Sequence, residues 1–283
     1  MKIFLAGSTG LVGRIVLMQL LDAGHQVIAM TRSPDNRKFL QSLGAQAVVA
    51  DAFDRQAILA TFMQTRPEVV IHQLTALRER DLGENSRIRI DGTRNLVDAS
   101  IQFGVKRIIA QSIAWAYAPG DGPALEAVPL DVGAVGPRKT TIDGVVALEH
   151  AVAEVPDHVI LRYGTFYGPG TWYDRHGMMA EAIRREQIAA TDGIISFVHI
   201  QDAANAVLMA MDWPSGPVNI VDDEPAAGID WLPVYAGVIG APRPPIRCEA
   251  NPWERGASNA KARETYGWNP TYPTWRTGFA QMH

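Results

Sequence analysis

Short unbroken apolar runs alternate, through the first half of the chain, with stretches whose apolar residues recur every three or four positions. The runs are KIFLA (2–6), QVIAM (26–30), AQAVVA (45–50), EVVIHQL (68–74) and KRIIAQS (106–112). Residues 11–23, 36–43, 54–64 and 85–103 lie between and after them with helical spacing, and a further helix is predicted over 140–154 from Ile142, Val145, Val146 and Val152. A Val/Ile-rich run without polar alternation is a strand covered on both faces, so strands alternating with helices predict a parallel sheet between two helical layers. From about residue 165 the texture changes, with Pro, Gly and Trp frequent and strands less regular. The expected division is a domain over 1–165, with 196–225 returning to it, and a smaller lobe over 166–283. SFVHI (196–200) and PVNIV (217–221) are the strands expected to rejoin the main sheet.

The first strand runs directly into GSTGLVG (7–13) and then a helix. Glycine suits a backbone that must approach a pyrophosphate, and a helix N-terminus offers free N–H groups and the positive end of a dipole. Gly7, Thr9, Gly10, Leu11, Val12 and Gly13 are therefore expected to hold the phosphates of a dinucleotide; a tight ligand-free turn is the competing reading. The fold class predicted is α/β, a Rossmann-type doubly wound parallel sheet with a smaller C-terminal substrate lobe. NAD binders place an acid about 20 residues beyond the glycines. This chain has Thr31 there, with Arg32 beside it. Arg32 can pair with a 2′-phosphate that a carboxylate would repel, so NADP is expected in preference to NAD. Arg14, Arg37 and Lys38 read as solvated surface. Asp51, before Ala52, can accept from the adenine amino group or cap the helix starting near Asp54. His72 reads as a hydrogen-bonded core residue rather than a base. Leu74, Thr75, Ala76 and Gln111, with Tyr163, Gly164 and Thr165, complete the expected cofactor contacts.

The length of 283 residues fits one large domain or a domain with an appendage, and 47% hydrophobic with 20% charged residues is ordinary for a globular chain. A net charge of −4 with dispersed basic residues points away from nucleic acid and anionic membranes as partners. The single cysteine, Cys248, favours a reducing compartment. The apolar run after Lys2 ends at Gly7, too short for a signal-peptide core, and no run is long enough to span a bilayer. A cytoplasmic protein acting on a small molecule is expected, with no residue assigned to a metal.

GSTGLVG, DGTRNLVDAS…GVKRIIAQS (91–112), LRYGTFYGPG (161–170), FVHIQDAANAV (197–207), VNIVDDEP (218–225) and SNAKARETYGWNPTYPTWRTGF (258–279) follow one another in an order that resembles the extended or atypical short-chain dehydrogenase/reductases, the NAD-dependent epimerase/dehydratase group. The resemblance implies a Ser or Thr after the fifth strand and a Tyr-x-x-x-Lys on the next helix, whose tyrosine moves the proton while the lysine lowers its pKa and holds the nicotinamide ribose. Here Ile113 stands at the hydroxyl position, with Ser112 one residue earlier. Registering the helix on Glu149 puts Thr141 at the Tyr position and Val145 at the Lys position, and no Tyr-x-x-x-Lys occurs anywhere in the chain. Ser112, Tyr117, Thr141 and Tyr167 are the substitutes considered for catalysis, with Tyr173 a further hydroxyl and Lys139 expected in solvent; each aromatic also reads as simple packing.

Thr165 replaces the asparagine that the resemblance implies for sugar-nucleotide members. Trp115, Trp172 and Tyr173 suggest a partly apolar pocket, while Arg175, Arg184 and Arg185 read as a solvated face. The expected function is an NADP(H)-dependent oxidoreductase acting on a small carbonyl or alcohol compound with a non-standard proton donor. The alternatives are an NADP(H)-binding regulator without turnover and an epimerase or dehydratase with bound nicotinamide. The resemblance also implies a homodimer through helices 85–103 and 140–154.

Overall fold

A computed structural model of the chain describes residues 1–77 and 81–282. Its strands are β1 (Lys2–Ala6), β2 (Gln26–Thr31), β3 (Gln46–Val49), β4 (Val69–His72), β5 (Arg107–Ile113), β6 (His158–Tyr163), β7 (Thr165–Tyr167), β8 (Ala190–Thr191), β9 (Ile194–Ile195), β10 (Phe197–His199), β11 (Gly216–Ile220), β12 (Ala226–Ala227) and β13 (Ile246–Arg247). The helices are α1 (Leu11–Asp22), α2 (Pro34–Ser42), α3 (Arg55–Thr65), α4 (Leu82–Arg87), α5 (Thr93–Gln102), α6 (Gly136–Val152), α7 (Met178–Arg184), α8 (Ile200–Met209), α9 (Gly228–Val238) and α10 (Trp275–Ala280). The main sheet has seven strands in the order β11-β6-β5-β4-β1-β2-β3. This is the doubly wound order with one added strand. The pairings around β1 are parallel, with Ile3 opposite Val27 on one side and Val69 on the other.

Continuous apolar runs became strands because both faces are covered: every residue of β4 is buried, and so are Ile3, Phe4, Leu5 and Ala6 of β1. Phe4 meets Phe62 of α3 with ring centroids 4.8 Å apart, in a core that Ile28, Val70, Leu96 and Ile108 continue. Local chemistry sets several helix ends. Pro34 starts α2, Asp54 caps α3 by accepting from Ala57 N–H at 3.0 Å, and Pro137 lies in the first turn of α6.

The structure departs from expectation in one strand and one helix. PVNIV does return, as β11, but Phe197–His199 does not: β10 pairs in parallel with β7 in a separate two-stranded sheet. The close approach needs Gly164, where a Cβ would lie 2.6 Å from the Ser196 carbonyl oxygen. The predicted helix 85–103 is also interrupted, since residues Ile88–Gly92 form a π-helical segment between α4 and α5.

The chain divides into two compact units, each built from several segments. One comprises Met1–Ser112, Val132–Leu161 and Ala204–Pro217; the other comprises Ile113–Asp131, Arg162–Ala203 and Val218–His283. The second has an aromatic core of Tyr167, Phe197, Trp231, Tyr235, Trp275 and Phe279. No helix among the described residues is long and apolar enough to cross a membrane.

Candidate active site

In the first unit, the glycine segment is shaped by backbone crowding. Gly7 has φ +93°, and a Cβ there would lie 2.6 Å from the Gln73 carbonyl oxygen. A Cβ on Gly13 would run into the Gly7 carbonyl. Gly10 differs: its φ of −74° is accessible to any residue and it is exposed, although a Cβ there would lie 3.2 Å from the Gly7 carbonyl oxygen, so a side chain is crowded rather than excluded. Gly10 is the N-cap of α1 and no side chain caps the helix. The first-turn N–H groups of Leu11, Val12 and Gly13 therefore have no side-chain acceptor, although α1 is otherwise well packed through Val12, Val16 and Leu17. An anion can take those donors and the dipole end together. Ser8 anchors the loop from below by donating to the Met30 carbonyl oxygen at 2.7 Å. Thr9 is half-buried beside it.

The ends of β2 and β3 lie along the same sheet edge. Thr31 is buried and its Oγ1 accepts from Ser33 N–H at 3.2 Å, while Arg32 is exposed and makes no hydrogen bond or ion pair among the described residues. Arg14 is exposed and stacks its guanidinium over Phe39, and Arg37 and Lys38 are exposed. Asp51 is half-buried, with Oδ1 accepting from Phe53 N–H at 3.0 Å. It does not cap α3, because Asp54 does. Ala52 is buried, and its carbonyl accepts from Asn95.

At the end of β4 the buried His72 accepts from Leu74 N–H through Nδ1 at 3.2 Å, so its Nε2 donates to Thr93 Oγ1 at 2.8 Å. Burial, helped by the positive charge of Arg89, lowers its pKa to about 4. The ring is neutral and structural. Leu74 and Ala76 are half-buried and Thr75 is exposed; Ala76 N–H donates to Asn85 Oδ1 at 2.9 Å. Gln73 was not anticipated: its amide is buried with neither oxygen nor nitrogen partnered, and its backbone carbonyl lies against Gly7. Gln111 is buried near the end of β5.

Helix α6 carries the positions where a relay was implied. Thr141 and Val145 are both buried, and Glu149, one turn further along, is buried and accepts from Ser112 Oγ at 2.6 Å. Ser112 thus has its proton committed to a carboxylate. Lys139 does lie in solvent, paired with Asp143 at 2.8 Å. Arg89, on the π segment, is buried and was also missed. Its Nη1 has no hydrogen-bond partner.

The second unit holds the other expected residues, and here two assignments are corrected. Tyr117 is buried, donates to Asn219 Oδ1 at 2.6 Å and accepts from Arg162 Nη1 at 2.9 Å; burial pushes its pKa up to about 12. Tyr167 has 0% exposure inside the aromatic core, its hydroxyl unpartnered and its pKa held far above the usual phenol value by burial and by Asp222 and Asp202. Neither phenol is presented as a proton donor to a substrate. Tyr163 is buried with its hydroxyl 3.3 Å from the Ala203 carbonyl, Gly164 serves the β7–β10 contact, and Thr165 N–H donates to the Ser196 carbonyl at 2.8 Å. Tyr173 is packing too, edge-on to Phe197, Trp231 and Tyr235. Trp115 and Trp172 remain 44% and 42% exposed. The arginines divide: Arg175 and Arg184 donate to backbone carbonyls, and Arg185 pairs with Glu181 at 2.7 Å in solvent.

A seven-stranded doubly wound sheet with an uncapped glycine turn after its first strand, which lies inside the sheet between β4 and β2, defines a dinucleotide-binding α/β protein. The residues fit such a ligand: a bare row of amides, glycines where any Cβ would collide, and an unpartnered Gln73 amide beside them. The chain belongs to the NAD dependent epimerase/dehydratase family, whose model matches residues 3–221. It is similar to a 3-diazoavenalumate denitrifying reductase from a Streptomyces species, 39% identical, with 99% of this chain and 100% of that protein covered. It is more distantly similar to the UDP-glucose 4-epimerase of Halalkalibacterium halodurans, 27% identical over 98% of this chain and 93% of that one. Among solved structures, the UDP-glucose 4-epimerases of Thermotoga maritima, with UDP-glucose, and Thermus thermophilus, with NAD, superpose with TM-scores of 0.78 and 0.77. Each is 21% identical and covers 100% of this chain and 97% of its own. At that identity they share the fold.

Proposed function

We propose that the protein is a nicotinamide-dependent reductase that replaces the diazo group of a small electrophilic compound by hydrogen, with NADP(H) preferred. The observation that carries this reading is the state of α6, where Thr141 and Val145, which the family resemblance puts at the positions of the relay tyrosine and lysine, are both buried. Reducing a carbonyl leaves an oxyanion that must be protonated, and losing the positioned acid costs about 10²–10⁴ in rate. Reducing a diazonium carbon leaves none. A hydride brings the electron pair of the new C–H bond, the C–N pair departs with dinitrogen, and no proton is exchanged. The 39% identical relative, matched over essentially its whole length, is named for reductive denitrification of a diazo compound, which supports the same chemistry.

Gly7, Gly10 and Gly13, with the amides of Leu11 and Val12, would hold the pyrophosphate, and Asp51 the adenine. Arg32 would pair with a 2′-phosphate, since it is exposed and without an ion-pair partner among the described residues. The bound dihydronicotinamide supplies the hydride. An epimerase reading is disfavoured because both of its half-reactions need the relay. The test is to incubate the protein with C4-deuterated NADPH and an arenediazonium carboxylate, following absorbance, dinitrogen release and deuterium in the product. Deuterium at the former C–N carbon supports the reading. Cofactor oxidation with simple aldehydes or ketones but none with the diazonium refutes it.

A further inference from the structure

Arg89 is the feature of the first unit that the reading above leaves unused. It is 4% exposed, and its Nη1 has no hydrogen-bond partner. A buried guanidinium normally has its donors matched, and an unmatched one is costly enough to require a reason. The π segment supplies the placement. Arg87, Ile90 and Asp91 around it are exposed, while Arg89, within the π segment, lies in the interior.

Its surroundings locate it. Thr93, four residues beyond Arg89, accepts from His72, the last residue of β4, at 2.8 Å, and the groups that feel the Arg89 charge are His72 and Glu149 of α6, which holds Ser112 near the end of β5. These are carboxyl ends of strands, where doubly wound sheets bind their ligands. With the glycine turn after β1 taking the pyrophosphate and the β2 end taking the adenine ribose, the other half of a dinucleotide falls on the β4–β5 side of the sheet order β5-β4-β1-β2-β3. That side is where the lysine implied at position 145 would hold the nicotinamide ribose, and Val145 has 0% exposure and no polar atom in its side chain.

We propose that Arg89 is a cofactor-binding residue: its guanidinium replaces the missing lysine from a different helix and donates through Nη1 to the hydroxyls of the nicotinamide ribose. This rests on a dinucleotide occupying the strand ends, as in the reading above, but is independent of the substrate. Glu149 balances the buried charge, and its hydrogen bond from Ser112 keeps the carboxylate fixed. The lysine's positive charge is thus restored from the π segment, while the region around position 145 stays apolar.

The test is titration calorimetry of Arg89→Gln and Arg89→Lys with NADPH, 2′-phospho-ADP-ribose and 2′,5′-ADP, or with NADH, ADP-ribose and ADP if the wild type binds that series more tightly. Thermal melts would establish that each variant is folded. Arg89→Gln should weaken the first two ligands about 10- to 100-fold, the loss of one charge-assisted hydrogen bond, and leave the third within about twofold. Arg89→Lys, which keeps the buried charge if glutamine is not tolerated, should show the same pattern with a smaller loss. Val145→Lys added to Arg89→Gln should recover part of the binding. Equal weakening of all three ligands, weakening of none, or weakening of the dinucleotide with the ribose fragment unaffected overturns the assignment. Failure of the wild type to bind any member of either series instead overturns the dinucleotide reading itself.

Discussion

Replacing Tyr167 by phenylalanine separates a packing role from a chemical one. The hydroxyl is enclosed among Phe197, His199 and Phe279, with ring centroids at 6.1, 5.1 and 5.1 Å, and it has no hydrogen-bond partner. Gly278 is packed directly against it, since a Cβ there would run into the phenol oxygen. A buried hydroxyl without a partner costs about 1–3 kcal/mol relative to one in water. Deleting it removes that cost, offset by a void of one oxygen atom at ~24 cal/mol per Å³, a few tenths of a kcal/mol. Tyr167→Phe should therefore stabilise the protein by about 1 kcal/mol, an increase in Tm of roughly 2–4 °C, and leave kcat unchanged. Tyr117→Phe is the opposite case, because it removes the acceptor of Arg162 and the donor to Asn219 in a buried network. It should cost about 2–3 kcal/mol while also sparing chemistry once the lost folded fraction is corrected for. The assays are denaturant melts and steady-state kinetics on both variants with the diazonium substrate. A folded Tyr167→Phe protein that loses about 10² or more in kcat would show the phenol to be the proton donor, and the packing argument would be wrong.

Gly10→Val should still fold, with a Tm lowered by crowding of its Cβ against the Gly7 carbonyl oxygen at 3.2 Å, and yet fail to bind either cofactor in fluorescence titration, because its backbone angles admit valine while a side chain blocks the pyrophosphate; unchanged affinity in the folded variant would remove the phosphate site from this turn. Arg32→Ala should weaken NADPH at least about tenfold and NADH little, the loss of a charge-assisted pair, and equal effects would cancel the cofactor preference. Asp222 is buried, accepts from Trp275 N–H at 2.7 Å, and has its pKa raised by burial from 3.8 to about 8. The folded state therefore holds a proton that the unfolded chain has released, so this group's stabilisation is full below about pH 4 and is lost as pH rises to about 8. Melts at pH 6 and 8 should show the wild type losing stability and Asp222→Asn losing much less; parallel losses would refute the assignment.

What was legible in the chain was what depends on neighbours in sequence. The glycine turn needs a strand before it and a helix after it, and the Gly7 and Gly13 contacts show why glycine is required at both. β1 to β5 are unbroken apolar runs and carry their own signal. Tyr117 was not legible, because its hydroxyl partners Arg162 and Asn219 lie 45 and 102 positions away. The same holds for β10, three residues whose partner strand was decided by the close approach at Gly164 rather than by propensity. Arg89 was hidden by periodicity, which reads 85–103 as one helix and so assigns it no special orientation. Gly92, inside that pattern, was the one available hint, since a glycine in a helix interior costs about 1 kcal/mol against alanine. A Cβ there would lie 2.7 Å from Ile88 Cδ1 at the π segment.

The absent relay is informative only together with the intact cofactor turn. A chain that had lost both would be a scaffold with a family history. Here the glycines whose Cβ atoms would collide with backbone are all retained, the α1 N-terminus is left without a side-chain cap, and the polar Gln73 and Arg89 remain unmatched near the strand ends. Unmatched buried donors are expensive to keep, so their presence argues for a ligand that matches them. At the positions where the family resemblance implies groups that manage a proton, Ile113, Thr141 and Val145 are all buried. The proposed reaction, in which hydride enters and a neutral gas leaves, asks for such a cofactor site and for no proton relay beside it.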